Sequence, residues 1–384
     1  MMLTLSTVRR RRSDHACPAP DTHSPPEGNE LGPFAERHLP VMADVARLAG
    51  VSHMTVSRVL NGHPRVRAET RARVLHAVDV LGYRRNLTAR ALVTRRSHRL
   101  GVVSFDTILY GPASTVYGIE QAARQAGYFV TIMSLRTIDR AGVNEAIGHL
   151  AEQGVDGVVV VAPQHAAAEA LADLPAGLPA VAVEGRHHGE VSVVCVDQYE
   201  GARQATAYLL GLGHETVWHV SGPDDWLEAE GRRAGWRAAL SAAGRAVPDP
   251  LPGDWTPRSG YRAGKMLARR VADVTAVLVA NDQMALGLLR AFSEAGVRVP
   301  EQVSVVGFDD IPEAAYFTPA LTTVRQDFGE VGRLSIGLLL KQLDRAEAFG
   351  HEHLIVPPQL IARDSTDRAR TAPQVGQVLS TRRH

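Results

Sequence analysis

Cysteine is nearly absent from the chain. Cys17 and Cys195 are the only two, and they lie far apart. Such a pair offers no disulfide framework and no metal-ligand spacing, and it fits a reducing compartment. No apolar run approaches the roughly 20 residues needed to span a bilayer. Arg9 to Arg12 have no apolar stretch behind them, so no secretory signal is expected. There is neither a P-loop nor a GxSxG nucleophile elbow. The lone GxG, Gly211 and Gly213, closes a helical pattern instead of following a strand, and reads as a turn. His187 and His188 stand in a polar stretch and read as solvent-facing. Together these absences leave catalysis, a metal and a cofactor without positive support. The expectation is a cytoplasmic protein that binds and does not convert.

What is there is an ordinary globular composition, 45% hydrophobic and 22% charged, with charge unevenly placed. The net charge is only +1, but residues 42–99 hold 12 arginines against three acids, Asp44, Glu69 and Asp79. From residue 100 onward acids outnumber bases, 33 to 25. A basic head on an acidic body fits a head that meets a polyanion, and it equally fits a solvated helix pair.

Residues 1–41 are rich in proline, including Pro18, Pro20, Pro25, Pro26 and Pro33, show no periodicity, and read as a disordered extension. The folded pattern opens abruptly at Val41 or Met42, which raises the expectation that translation starts there. Three short helices are predicted next. The first runs from Ala43 to Ala49 and is closed by Gly50. The second is capped by Ser52 and runs to Leu60, and the third spans Ala68 to Leu81 before Gly82. Val45, Ala49, Val56, Val59 and Leu60 form one inward stripe. Val74, Leu75, Val78 and Leu81 form the core side of the third helix. His53, Met54, Ser57 and Arg58 are left facing outward. Two helices joined by a tight turn, the second exposing polar side chains, make a helix-turn-helix. Residues 86–99 read as a hinge with Asn86 as N-cap. Its Leu92 is an apolar side chain among arginines, the chemistry of a minor-groove wedge, or else an incidental linker leucine.

From Leu100 the pattern changes. Val-rich runs at 100, 128, 155, 180, 216, 275 and 303 alternate with helical stretches. Continuous apolar runs imply strands of a parallel sheet covered on both faces. The region is about twice a usual domain, so two lobes are expected over 100–365, followed by a disordered tail at 366–384. Ligands in such sheets sit beyond the carboxyl ends of the strands. In the pair Asp309-Asp310, neighbouring side chains point different ways, so a ligand-binding aspartate is expected and not a catalytic dyad.

The stretches DVARLAGVSHMTVSRVLNG (44–62) and ETRARVLHAVDVLGYRRN (69–86) resemble the head of the lactose-repressor family. The resemblance continues through GDWTPRSGY (253–261), VANDQMALG (279–287), VSVVGFDD (303–310) and LTTVRQDF (321–328), and is nearest to the lactose repressor branch. It implies a small all-α head, a hinge and a two-lobed α/β body like the periplasmic sugar-binding proteins. It further implies a homodimer on a palindromic operator. His53, Met54 and Arg58 would then face bases, and Ser52, Thr55, Ser57 and Asn61 would contact phosphates or position the helix, with Leu92 as the wedge. Glu184, Arg232, Asn281, Asp309 and Gln326 would hold sugar hydroxyls, and Trp255 and Phe328 would wall the site. The fork of Arg232 is expected to engage two neighbouring hydroxyls.

The chain departs from the family in four places. Glu184 stands where the branch has Asp, and Arg85 where the family has Pro. The tail lacks leucine heptads, which implies a dimer. His53 and Met54 differ from the familiar base-reading pairs, so no operator sequence transfers. The function implied is repression released by a small sugar, with galactosides as the specific expectation. A corepressor-driven regulator using a purine, an activator and a sugar-processing enzyme are the alternatives.

Overall fold

The computed structural model describes residues 40–84, 96–105, 108–135, 139–161, 163–175, 177–184, 191–344 and 351–369. Arg85, Asn86 and Leu92 lie outside them, as do His187, His188 and the extension up to residue 39. The chain divides into two compact units, one ending at Asn86 and one beginning at Leu87.

The first unit is three helices, α1 (Met42–Ala49), α2 (His53–Leu60) and α3 (Ala68–Leu81). Gly50 sits at φ 63° and Gly82 at φ 58°, left-handed positions that end their helices without the steric penalty a side chain would meet. Val45, Ala49, Val56, Val59, Val74 and Ala77 close a small core. Leu75 does not join it and is 46% exposed. It lies about 100° round the helix from Val74, and Ala77 with the half-buried Val78 takes its place.

The second unit holds two sheets. Strands β1 (Arg99–Phe105), β2 (Phe129–Leu135), β3 (Gly157–Val161), β4 (Ala180–Val183), β5 (Ser192–Val196) and β11 (His353–Val356) pair in the order β11-β5-β4-β3-β1-β2, all parallel. Strands β6 (Trp218–Ser221), β7 (Leu251–Pro252), β8 (Ala276–Val279) and β9 (Ser304–Val306) form a second parallel sheet ordered β7-β6-β8-β9. An antiparallel pair, β10 (Thr323–Arg325) with β12 (Gln359–Ile361), flanks it. The helices are α4 (Tyr110–Gln125), α5 (Arg140–Glu152), α6 (His165–Ala170), α7 (Gln198–Gly211), α8 (Leu227–Ala242), α9 (Pro257–Ala268), α10 (Asp282–Glu294) and α11 (Phe328–Asp344). No helix among the described residues is long and apolar enough to cross a membrane.

Central strands behave as their composition demands: every residue of β3, β4 and β8 is buried. The run expected to be covered at 128 differs. It forms the edge strand β2, and Phe129 is 63% exposed. The sequence reading passes over β5, β7, β10, β11 and β12, which are short or separated from the sheet partners that give them meaning.

Two boundaries are corrected. Strand β1 starts at Arg99, and the residues before it are fastened. Asp156 accepts the backbone N–H groups of Ser97 (2.7 Å) and His98 (2.9 Å), while Arg96 donates to Asp344 (3.0 Å) and to the Leu343 carbonyl (2.7 Å) at the end of α11. The expected tail begins too early. Thr366 shares a hydrogen bond with the Tyr208 hydroxyl (3.0 Å), Asp367 N–H donates to Ser304 (3.0 Å) and Ala369 N–H donates to the Leu212 carbonyl (2.9 Å). This segment continues along β9, where it satisfies edge groups that a sheet ending there would leave open.

The chain passes between the lobes three times: after β5, after β10, and at Pro357-Pro358 between β11 and β12. The passages are joined to one another. Asp197 N–H donates to the Val356 carbonyl (3.1 Å), and the Gln198 amide donates to Gln326 (2.7 Å).

Candidate functional site

The head presents one helix end. The Ser52 hydroxyl accepts the Thr55 N–H at 3.2 Å and bonds the Thr55 hydroxyl at 2.9 Å, which caps α2 and orients its first turn. His53 and Met54 occupy that turn, with Met54 64% exposed. Arg58 follows on the next turn and is exposed, and the Asn61 amide donates to Ser57 at 3.4 Å. Val56 and Val59 hold the opposite face in the core. An apolar side chain as exposed as Met54 costs free energy in water.

The body's cleft is built at strand ends. Tyr110 follows β1, Val161 ends β3, Glu184 follows β4 and Gln198 follows β5. On the other lobe Trp226, Trp255, Asn281 and Asp309 follow β6, β7, β8 and β9. All line one cavity, together with Arg232, Gln326 and Phe328. Both sheets reverse their strand order beside it, at β1/β3 and at β6/β8. Three of these residues, Glu184 (φ 61°), Trp255 (φ 67°) and Asp309 (φ 105°), sit in left-handed backbone without being glycine. Such geometry costs of order 1–3 kcal/mol each and clusters where a side chain must be aimed.

A polar ring spans the lobes. Gln198 donates to Gln326 (2.7 Å), Gln326 donates to Asp309 (2.7 Å), and the Nη2 of Arg232 lies 3.4 Å from the same Asp309 oxygen. The Arg232 Nε closes the ring on Gln198 at 2.9 Å. Val196 N–H (3.0 Å) and Gln198 (3.4 Å) donate to the Glu184 carboxylate. Arg232 also donates to the Ala280 carbonyl and lies over the Phe308 ring, 3.9 Å from its centroid. Its fork is therefore already engaged on all three nitrogens, which leaves one N–H on each Nη. Asn281 caps α10 by accepting Met284 N–H (2.9 Å) and donates to the Trp255 carbonyl (3.1 Å).

Burial shapes the charges. It pushes Asp309 up to about 6 in spite of Arg232 and Gln326, and Glu184 up to about 7. Glu228, at the start of α8, is raised well above the ordinary range by burial and then by the Glu184 charge.

Two aromatic pairs wall the cavity: Trp226 on Trp255, edge-on at 5.4 Å, and Tyr110 on Phe328, edge-on at 5.9 Å. Glycine makes both possible. A Cβ at Gly222 would stand 2.2 Å from the Trp255 ring, and one at Gly332 would stand 2.3 Å from the Gly118 backbone where α11 crosses α4.

The structure thus gathers all seven expected effector residues, Glu184, Arg232, Trp255, Asn281, Asp309, Gln326 and Phe328, around one cavity. Sequence reasoning missed Tyr110, Gln198, Trp226 and Glu228. The signal for Gln198 was there, since VSVVCV (191–196) is a Val-rich run whose end it follows. Glu228 stands four residues before Arg232, on the same helix face.

A family model for bacterial regulatory proteins of the lacI family matches residues 41–86, and one for periplasmic binding protein-like domains matches residues 206–366. The chain is 34% identical over 327 residues to the lactose operon repressor of Escherichia coli K12, covering 84% of this chain and 89% of that one. The structure of the lac repressor dimer bound to operator and the anti-inducer ONPF superposes with a TM-score of 0.77 at 32% identity, covering 85% of this chain and 99% of that one. The complex of the transcriptional regulator CelR with cellobiose gives 0.64 at 34% identity, covering 85% and 99%.

Proposed function

Because the chain belongs to the lacI family of bacterial regulatory proteins, we propose that it is a transcriptional repressor that leaves a palindromic operator when a small sugar fills the cleft between its lobes. Members of the family are regulators, so the sugar-processing enzyme falls away as an alternative. The observation that carries the sugar reading is the cleft itself. Carboxyl, amide and guanidinium groups converge on its centre while aromatic rings wall it, which is how hydroxyls and the apolar face of a pyranose are read together.

Two heads of a dimer would read half-sites about one helical turn apart. His53, Met54 and Arg58 would meet base edges, and Ser52, Thr55, Ser57 and Asn61 would serve the phosphates and the helix end. Sugar and operator would favour different lobe arrangements, so each weakens the other. A galactoside is the effector proposed, on the likeness to the lactose operon repressor. A β-glucoside is the second reading, favoured by the likeness to a regulator crystallised with cellobiose.

Fluorescence anisotropy on palindromic DNA from upstream of its gene, titrated with galactosides and glucosides, tests the proposal. Tight, salt-sensitive binding released by one sugar is expected. Binding that no sugar alters, or that a purine strengthens, overturns the reading of the cleft and leaves that of the head.

A further inference from the structure

We infer that Glu228 is a specificity-determining residue of the cleft, whose carboxyl hydrogen-bonds one particular hydroxyl of the sugar. The inference rests on the sugar-effector reading and goes further by naming a chemical requirement on the ligand.

Glu228 stands in the first turn of α8, one turn before Arg232, and lines the cavity. Its Oε2 is shut off from solvent and has no hydrogen-bond partner among the described residues. The charged groups nearest it are Glu184 after β4, Arg232 on its own helix and Asp309 after β9. None of them donates to it. Arg232 is taken up by Gln198, Ala280 and Asp309. An acceptor left bare in a buried place is unfavourable, and groups of this kind are satisfied somewhere in the working cycle. The cavity that Glu228 lines is a space from which a partner can come.

A second orphan narrows the ligand. The Trp255 indole Nε1–H is also buried and lacks an acceptor among the described residues, and Trp255 lines the same cavity. A carboxyl oxygen accepts from a hydroxyl, a carboxyl that keeps its proton also donates to one, and an indole only donates. The ligand must therefore bring an acceptor to Trp255 and a group able to exchange a hydrogen bond with Glu228. Sugar hydroxyls supply both. An analogue with fluorine or hydrogen in place of the hydroxyl facing Glu228 leaves its Oε2 without that partner. A site built around such a bond rejects an analogue that lacks it, here by roughly tenfold to hundredfold.

The test is calorimetric titration of the full-length protein with methyl β-D-galactoside, lactose and cellobiose, and with their monodeoxy and monofluoro analogues. Wild type, Glu228→Gln and Glu228→Ala are compared, with operator binding as the check on folding. In wild type, the analogue altered at one ring position is expected to bind tenfold to hundredfold more weakly than its parent. That ratio should fall toward one in Glu228→Ala, partway in Glu228→Gln, and stay unchanged at the other positions. A uniform loss across all analogues would mean that Glu228 only supports the cleft, and overturns the inference. Unchanged ratios in both variants overturn it as well, while leaving the sugar reading intact. Failure of every sugar to bind wild type removes the sugar reading, and this inference with it.

Discussion

Asp309 and Asp310 are consecutive in the chain and serve opposite sides of the fold. Asp309 faces the cleft, where it accepts from Gln326 at 2.7 Å with Arg232 at 3.4 Å. Asp310 turns away and is held by Arg325 at 2.7 Å and Arg363 at 2.6 Å. Both have positive φ, 105° and 54°, which lets neighbouring carboxyls diverge so widely. Asp309→Asn is therefore expected to abolish release from DNA by sugar, and to lower thermal stability as well because Arg232 stays buried without its anion. Asp310→Asn is expected to lower stability by about 3 kcal/mol, because two arginines lose a buried partner, and to leave sugar affinity unchanged. Thermal melts and sugar titrations on both variants separate the two roles, and reversed phenotypes would contradict the division.

Arg232→Ala should retain operator affinity and lose the sugar response. It should also be destabilised by about 3 kcal/mol, since Asp309 remains buried without its cation. Adding Asp309→Asn to that variant should recover part of the stability and none of the response. Denaturant melts of the single and double variants check this through their coupling.

The Glu184 carboxyl titrates at about 7 when folded, above its ordinary 4.5. A raised carboxyl contributes stability that is fully present below 4.5 and is lost as pH climbs through 7. Glu184→Gln removes that loss, and Gln can still accept the Val196 N–H. The variant should gain on wild type by roughly 1–3 kcal/mol between about pH 5 and pH 8. Melting curves across that window test it, and a constant gap between the two proteins would contradict it. Asp309 moves in the same direction and is common to both proteins, whereas Glu228 is raised partly by the Glu184 charge, so the difference reports Glu184 together with its hold on Glu228.

Much of this arrangement was readable beforehand, for local reasons. Gly50, Ser52 and Gly82 punctuate the head through backbone preferences that act over a few residues. The Val-rich runs at β3, β4 and β8 need no partner to announce a two-sided sheet. Short strands escape because their definition is tertiary. Strand β11 belongs to the first lobe only because residues 353–356 return to pair with β5 across more than a hundred intervening positions. The cleft divides along the same line. Asn281 and Asp309 stand in long recognisable motifs, whereas Gln198 and Glu228 earn their place from geometry that joins separate segments.

Met54→Ala should reduce affinity for the cognate operator by about tenfold and leave binding to random DNA unchanged, since an exposed apolar side chain carries no charge for phosphate. Ser52→Ala should instead weaken both, and cost the head about 1 kcal/mol through loss of the α2 cap. Anisotropy on the two DNAs distinguishes them, and equal losses on both in Met54→Ala would remove Met54 from base reading.

Gly222→Ala is expected to reduce sugar affinity at least tenfold, because the new methyl displaces the Trp255 ring from a contact of 2.2 Å. Indole fluorescence of the ligand-free protein should shift in the same variant, and an unchanged spectrum with normal affinity would show that the ring has room to yield.

The triple passage between lobes governs how this protein can be recombined. Neither lobe is one continuous stretch of chain, since α11 and β11 return to the first lobe after the second has been built. A hybrid with a relative, joined at a single point inside the body, necessarily mixes both parents within one sheet. Exchanging a whole lobe requires three coordinated junctions, at 197, at 326–327 and at 357–358. Inheritance by single crossover is confined to the end of the head. New operator preferences can therefore be acquired by shuffling in one step, whereas a new cleft has to be evolved in place, residue by residue.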